Sequence, residues 1–235
     1  MRSQAIVLAA GEGLRLRPVT ERWPKPVLPI DGRAVIATLL RELAAAGVER
    51  ATIVTGHLAE QVEALVGDGS AFGLETRFVR QPRPDGGADA VRRAELEPPF
   101  LVSAADTVYV QGTVLHFLQS CEESPAAGAM SVRRQPGRPS ATGIRVQDGI
   151  VSRAQDPSVP DGLTAAPLLL IGEAVSARLE EVCAPPFTAP YELTAAFQRA
   201  IDAGERILAV QIQPTRDLTD PLDLVGENFP YLAGL

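Results

Sequence analysis

The chain has 235 residues, 46% of them hydrophobic and 22% charged, which is the composition of a globular protein with a full core. Its formal net charge of −7 argues against a nucleic-acid or anionic-membrane surface, because those partners require a basic field. No apolar run reaches the roughly 20 residues of a transmembrane helix, and the two cysteines match no metal or redox spacing. We therefore expect a soluble, cytoplasmic protein, and the sequence does not decide between a monomer and a homodimer.

The first half of the chain alternates predicted strands with predicted helices. QAIVLAA is apolar throughout and of strand length, as in a strand buried on both faces of a parallel sheet. A helical pattern that ends at a glycine follows in RAVIATLLRELAAAGV. The alternation then recurs in ATIVTG, LAEQVEALVG, LETRFVRQ, GGADAVRRAEL, FLVSAAD and TVLHFLQSCEE. This order predicts an α/β fold with a doubly wound, mostly parallel sheet, in which ligands lie beyond the carboxyl ends of the strands.

From about Ala126 the pattern changes. Short predicted strands joined by polar turns occupy AGAMSVRRQ, TGIRVQDGIVSRA and GLTAAPLLLIG. Predicted helices follow in AVSARLEEV and YELTAAFQRAIDAG, then a strand in RILAVQIQ and a closing helix in DPLDLVGENFPYL. We expect one domain over residues 1–235, with residues 136–160 as a small inserted substrate lobe.

A glycine-rich loop, AAGEGLR, follows the first predicted strand. It is neither the dinucleotide fingerprint nor a P-loop, because Arg15 precedes the place of a third glycine and no Gly-Lys-Ser/Thr follows. Gly11 and Gly13 let the backbone approach a ligand and direct amide N–H groups at phosphate oxygens, and Arg15 adds a fork of donors. The glycine spacing alone is equally typical of a tight turn.

Lys25 is the only lysine among the 22 basic residues. It lies between Pro24 and Pro26, which predict an extended backbone path with little freedom. A lysine presented in this way brings a compact charge to one place, which suits a phosphate group in a transition state. The alternative is an ordinary surface lysine on a loop.

The stretch LAAGEGLRLRPVTERWPKPVLPI resembles the signature of the sugar-phosphate nucleotidyltransferases, L-A-A-G-x-G-x-R-x-x-P-x-T-x-x-x-P-K-P. The resemblance continues through TGHLAEQVEALVGDGSAFGLETRFVRQ and is loose in the second half of the chain. With no repeat domain, the chain is similar to the thymidylyl- and uridylyltransferases of sugar 1-phosphates, including the N-acetylmuramate 1-phosphate type. The resemblance implies a Rossmann-like fold, a nucleotide-binding half (1–125), a sugar-phosphate-binding half (126–235) and a Mg²⁺-dependent enzyme.

The resemblance also implies a role for individual residues on the nucleotide side. Arg15 and Lys25 are the implied catalytic residues. The implied nucleotide-binding residues are Leu8, Ala10, Gly11, Gly13, Gly86, Gly87 and Asp89. Asp89 stands where the thymidylyltransferases have glutamine, and a carboxylate can only accept a hydrogen bond, as from uracil, thymine or guanine. An alternative for Asp89 is a first-turn acid that the helix dipole favours.

Asp106 and Asp217 match the metal-binding aspartates of the resembled family and are the implied Mg²⁺ ligands. Ala105 precedes Asp106 where the family usually has glycine. The family's Asp-x-Gly-Thr reads Asp-Leu-Thr-Asp here, so Asp220 is a rival to Asp217 as a ligand. Each aspartate also has the alternative of a helix cap or turn former.

The acceptor side matches the family less well. Gly143 and Glu192 are the implied substrate-binding residues. Gln155 and Asp156 stand where the family often has the Glu-Lys of Glu-Lys-Pro, so a cation near the sugar phosphate is lost. The sequence thus predicts transfer of a nucleotide to a sugar 1-phosphate. It leaves open a small alcohol phosphate such as phosphocholine as the acceptor, or a non-catalytic nucleotide-sugar sensor.

Overall fold

The computed structural model describes residues 4–134, 143–156 and 163–229. The strands in these residues are β1 (Gln4–Ala9), β2 (Pro29–Ile30), β3 (Arg33–Ala34), β4 (Arg50–Thr55), β5 (Glu75–Arg80), β6 (Phe100–Ala104), β7 (Thr107–Val108), β8 (Gly128–Arg133), β9 (Gly143–Gln147), β10 (Ile150–Asp156), β11 (Thr164–Ile171), β12 (Ile207–Gln211) and β13 (Arg216–Asp217). The α-helices are α1 (Val35–Ala45), α2 (Ala59–Val66), α3 (Gly87–Arg93), α4 (Thr113–Glu122), α5 (Glu173–Ser176), α6 (Leu179–Val182), α7 (Leu193–Asp202) and α8 (Pro221–Asn228).

One mixed sheet of nine strands forms the centre of the molecule, in the order β5-β4-β1-β6-β11-β8-β12-β10-β9. All of these strands except β10 and β11 run in the same direction. The chain moves outward from β1 through β4 to β5, then returns to place β6 on the other side of β1. Such a reversal leaves a crevice at the carboxyl ends of the strands, where α/β proteins bind ligands. The predicted α/β, mostly parallel sheet is confirmed.

Both faces of the sheet are covered, as the continuous apolar run of β1 predicts. Ile6 packs into a cluster that includes Phe197 of α7, and the neighbouring Val7 packs into a second cluster with Phe117 of α4. Successive residues of a strand point to opposite faces, so an uninterrupted apolar strand requires a hydrophobic layer on each side. All four of these side chains are fully buried.

The second half of the chain extends the same sheet. The hairpin β9–β10 lies at the sheet edge, and β10 pairs with β12. This hairpin is the described part of the predicted inserted lobe, whose remaining residues, 136–142 and 157–160, lie outside the described residues. The single helix predicted in AVSARLEEV is wrong, because a turn in which Arg178 N–H donates to Val175 O (3.0 Å) lies between α5 and α6.

Across the helices of the described ranges, we find none with both the length and the apolar character needed to cross a membrane.

Candidate functional site

A cavity of about 550 Å³ opens at the carboxyl ends of β1 and β6. Four segments that are distant in sequence form its walls: the loop after β1, the loop after β5, the segment that follows β6 and the residues that follow β13. Of the residues predicted from the sequence, those that line it are Leu8, Ala10, Gly11, Gly13, Arg15, Lys25, Gly86, Gly87 and Asp106. The structure therefore brings together most of the residues that were predicted to bind the nucleotide.

The glycine-rich loop is held in place by contacts within and beside the motif. Gly13 has a φ of 63°, which glycine adopts without strain, and a Cβ there would lie 2.9 Å from Thr20 Cγ2. The Thr20 hydroxyl donates to Gly13 O at 2.9 Å, and His57 Nε2 lies 2.6 Å from Thr20 O. The loop thus has a fixed shape, and His57 contributes to that shape from outside the motif.

Lys25 forms an ion pair with Asp106 at the cavity wall. Its Nζ lies 2.5 Å from Asp106 Oδ2, and its side chain is only 15% exposed. The backbone differs from the predicted extended path, because Lys25 begins a 3₁₀ turn in which Leu28 N–H donates to Lys25 O at 3.1 Å. Pro24 is extended, as expected, and this turn directs the lysine side chain inward rather than to solvent.

Asp217 lies next to the Asp106 segment. In the β7–β13 ladder Asp217 pairs with Thr107, the residue after Asp106, so neighbouring backbone positions carry the two carboxylates. Thr219 donates its hydroxyl to Asp217 Oδ1 at 3.1 Å, and Arg133 Nη2 lies 3.9 Å from Asp217 Oδ2. Asp217 itself is outside the cavity lining, whereas Thr219 is part of it.

Asp220, the rival candidate, has a structural role. It is the N-cap of α8, and its Oδ1 accepts from Leu222 N–H at 2.9 Å. Asp223 completes a capping box by accepting from the Asp220 N–H. The Asp220 carboxylate is therefore committed to the helix end, which favours Asp217 as the acid that acts with Asp106.

Arg216 anchors the strand that carries Asp217. Its guanidinium donates to Asp31 Oδ1 at 2.9 Å and to Glu227 Oε2 at 2.6 Å. The hydrogen bond from Arg216 lowers the pKa of Asp31. The same hydrogen bond is the main reason that the pKa of Arg216 is raised. β13 is thereby fixed between the β2–β3 hairpin and α8. The sequence analysis did not identify Arg216.

The loop after β5 is hydrogen-bonded to Tyr191, a residue far along the chain. Ala88 N–H donates to Tyr191 O at 3.0 Å, and Tyr191 N–H donates to Asp85 O at 2.7 Å. Gly86 has a φ of 105°, and a Cβ there would lie 2.4 Å from the Tyr191 backbone. Only glycine fits this close approach, and it places Gly86 and Gly87 at the cavity.

Asp89 does not face the cavity, contrary to the prediction of direct nucleotide binding. Its side chain is buried, and its carboxylate accepts from Arg93 Nε at 2.6 Å and Arg92 Nη2 at 3.1 Å. It also accepts from Gln81 Nε2 at 2.8 Å. A buried carboxylate requires such partners, and the two arginines of the same helix supply them.

Gln81 lines the cavity and was missed by the sequence analysis. It directly follows β5, and its backbone N–H donates to Thr55 O at 2.8 Å. A polar residue at the carboxyl end of a predicted strand is a signal that the sequence does contain. That Gln81 lies at the cavity becomes clear only from the structure, in which it is hydrogen-bonded to Gly86 in the loop after β5.

The predicted acceptor residues lie elsewhere. Gly143 begins β9 and pairs with Asp156, and Glu192 is the exposed N-cap of α7. As far as the structure describes the chain, neither lines the cavity. Asp156 is buried and pairs with Arg145 (Oδ2 to Nη2, 2.7 Å), while Gln155 Nε2 donates to Thr194 Oγ1 at 2.5 Å.

No cluster of three or more His, Cys, Asp or Glu side chains that could hold a metal ion occurs within residues 4–134, 143–156 and 163–229. Two carboxylates suffice for Mg²⁺, which characteristically takes one or two of them and completes its shell with water and substrate phosphates.

This chain is similar to several known proteins. The family model for nucleotidyl transferases matches residues 4–154. The glucose-1-phosphate thymidylyltransferase of Streptomyces griseus is 29% identical over 94% of this chain, and the match spans 64% of that relative's length. The CMP-5'-(3-aminopropyl)phosphonate synthase of Streptomyces rubellomurinus is 34% identical over 73% of this chain and 28% of that protein. A UDP-glucose pyrophosphorylase solved with UDP-glucose has a TM-score of 0.81 at 19% identity, with full coverage of both chains, which shows the shared fold.

Proposed function

This chain belongs to the nucleotidyl transferase family, and we propose that it joins a nucleoside triphosphate to a sugar 1-phosphate, giving a nucleotide sugar and pyrophosphate. An oxygen of the acceptor phosphate attacks the α-phosphorus in line. The bond from the α-phosphorus to the oxygen that bridges to the β-phosphate breaks, and pyrophosphate leaves with the electron pair. No covalent enzyme intermediate is needed, so positioning and electrostatic stabilisation provide the rate acceleration.

The contact between Lys25 and Asp106 supports this proposal most strongly. It places the only lysine of the chain, 2.5 Å from a carboxylate, on the wall of a cavity that also contains the glycine-rich loop. In the proposed complex, Lys25 neutralises charge on the α-phosphoryl group. Arg15 and the amides of Gly11 and Gly13 hold the β- and γ-phosphates, because guanidinium and backbone N–H groups are natural phosphate donors.

The loop after β5 contacts the nucleobase in this proposal. Gly86 and Gly87 have no side chain at the cavity wall, so a flat ring can approach the backbone, and Pro84 and Gln81 lie beside them. The sugar phosphate enters from the side of the second half of the chain, where Gly143 and Glu192 stay predicted contacts.

Asp106 and Asp217 would hold Mg²⁺. Their carboxylates are hard oxygen donors on neighbouring backbone positions, and the rival Asp220 is committed to capping α8. When bound, the ion supplies positive charge that offsets the repulsion between two polyanionic substrates. Lys25 would share Asp106 with a bound ion, so the positive charges of the proposed site would lie on either side of one carboxylate.

A small phosphate or phosphonate acceptor is the second candidate. At Asp156, where the resembled family often has lysine, this chain has a buried carboxylate that pairs with Arg145. A relative whose name describes a phosphonate synthase is 34% identical over 73% of this chain. The acceptor is thus the least determined part of the proposal.

Pyrophosphate release measured across a grid of substrates tests these possibilities. The grid crosses ATP, CTP, GTP, UTP and dTTP with glucose 1-phosphate, mannose 1-phosphate, N-acetylglucosamine 1-phosphate, phosphocholine and 2-aminoethylphosphonate. We expect release with at least one sugar 1-phosphate, its loss on removal of Mg²⁺ by EDTA, and its loss in Asp106→Asn, which controls for contaminating enzymes. Release with phosphocholine or the phosphonate alone would support the second candidate. Nucleotide binding without release for every pair would contradict both and support a sensor.

A further inference from the structure

Gln81 uses both hydrogens of its amide inside the protein. Its Nε2 donates to Asp89 Oδ2 at 2.8 Å and to Gly86 O at 3.1 Å. A carboxylate and a backbone carbonyl can only accept, so the amide nitrogen must face both of them. Gln81 is 5% exposed and lines the cavity, which leaves its Oε1 as the polar atom that a ligand can meet.

Asp89 is fixed in the ionised, acceptor-only state. It is 3% exposed, and burial by itself would raise its pKa. Hydrogen bonds from Arg93, Gln81 and Arg92 outweigh that effect and hold the pKa of Asp89 below its usual range. At neutral pH the carboxylate therefore has no hydrogen to give, and the Gln81 carboxamide cannot turn round without facing it with an oxygen.

Resting on the nucleotidyl transfer proposed above, we propose that Asp89 is a positioning residue that makes Gln81 read the nucleobase as a hydrogen-bond acceptor. An unrestrained glutamine can turn by 180° and either donate or accept. The locked carboxamide selects a base that presents an N–H group to it and disfavours a base that presents a carbonyl oxygen or a ring-nitrogen lone pair there. Two acceptors left face to face in a closed site cost about tenfold or more in affinity.

The experiment uses pairs of bases that have nearly the same shape and a reversed pattern of donors and acceptors. Uracil and cytosine form one such pair, and guanine and adenine form the other. Binding of UTP, CTP, GTP and ATP to the full chain with MgCl₂ is measured by isothermal titration calorimetry. Within a pair that binds, we expect the wild type to prefer one member by about tenfold or more.

Asp89→Asn is the decisive variant. An asparagine amide can donate to Gln81, so only Gly86 O still opposes the turned carboxamide, and the preference within the pair falls by about threefold or more. Glu60→Gln is the matched control, because Glu60 is also a first-turn acid paired with an arginine, Arg80 (2.7 Å), but lies outside the cavity lining. We expect the Glu60→Gln variant to keep the wild-type preference for one base of the pair.

A second variant covers the case in which Asp89→Asn does not fold. Gln81→Leu removes the carboxamide and leaves the pairs of Asp89 with Arg92 and Arg93 in place. We expect the same loss of preference. Equal binding of both members by the wild type, or an unchanged preference in either folded variant, would overturn the role of Asp89. Failure of all four triphosphates to bind would overturn the proposed function as well, whereas binding without pyrophosphate release would contradict only that function.

Discussion

The glycine-rich loop lines the cavity and β13 leads into it, and the two segments are held in place by different means. The loop is fixed mainly by its own neighbours, as in the bond from the Thr20 hydroxyl to Gly13 O seven residues away. β13 is fixed by Arg216, which pairs with Asp31, 185 residues earlier in the chain, and with Glu227. Local bracing, meaning contacts between residues that are close in the chain, leaves a recognisable motif in the sequence. Ion pairs between distant residues leave none.

The largest expected effect comes from the pair of variants that distinguishes the role of Asp217 from that of Asp220. Asp217→Asn should lower the rate of pyrophosphate release by about 10²–10³-fold, the scale of removing one group that stabilises transition-state charge. Asp220→Ala should keep turnover near the wild-type rate and lower the free energy of unfolding by about 1 kcal/mol through loss of the α8 cap. The reverse ranking of the two variants in the release assay would assign the metal to Asp220.

Gly13→Ala tests the local bracing of the glycine-rich loop. The positive φ and the approach to Thr20 together should cost about 3 kcal/mol of unfolding free energy. Gly112→Ala is the matched control, because Gly112 has a φ of 84° but no atom within 4 Å of an added Cβ, so it should cost only about 1.5 kcal/mol. Urea unfolding of both variants measures the difference, and equal costs would show that Thr20 does not constrain the loop.

Arg216→Ala tests the long-range bracing and has the smallest expected effect. Because the Arg216 and Asp31 side chains are 41% and 65% exposed, we expect a loss of only about 1 kcal/mol at neutral pH. The lowered pKa of Asp31 gives the sign of the pH dependence. This stability is present above the unfolded pKa, about 3.9, and is lost as the pH falls through the lower folded value. Unfolding curves of the wild type and the variant should therefore converge in acid, and a constant gap down to pH 2 would argue against the pairing.

Much of the nucleotide side could be predicted from sequence. Residues 8–25 contain a long motif of fixed spacing, and its resemblance to the family signature identified Gly13, Arg15 and Lys25 as candidate site residues. The continuous apolar run of β1 likewise predicted a strand covered on both faces. Periodicity and turn chemistry are local properties, and they suffice where the contacts are local.

Contacts between distant segments could not be predicted in this way. The tight fit of Gly86 depends on Tyr191, and the orientation of Gln81 depends on Asp89, which lies on the following helix α3. Asp89 was expected to face the nucleotide because its position in the motif was known and the direction of its side chain was not. The acceptor side has the same difficulty, since Gly143 and Asp156 meet only through strand pairing.

The most direct test concerns Lys25, whose ammonium lies 2.5 Å from Asp106. Pyrophosphate release by Lys25→Arg is compared with the wild type at saturating substrates, with nucleotide binding and thermal unfolding measured on the same samples. Arginine keeps the charge but spreads it over a larger group, so we predict an intact fold and turnover lowered by about 10²-fold or more. Turnover within about twofold of the wild type would contradict the proposed role of Lys25 at the α-phosphoryl group.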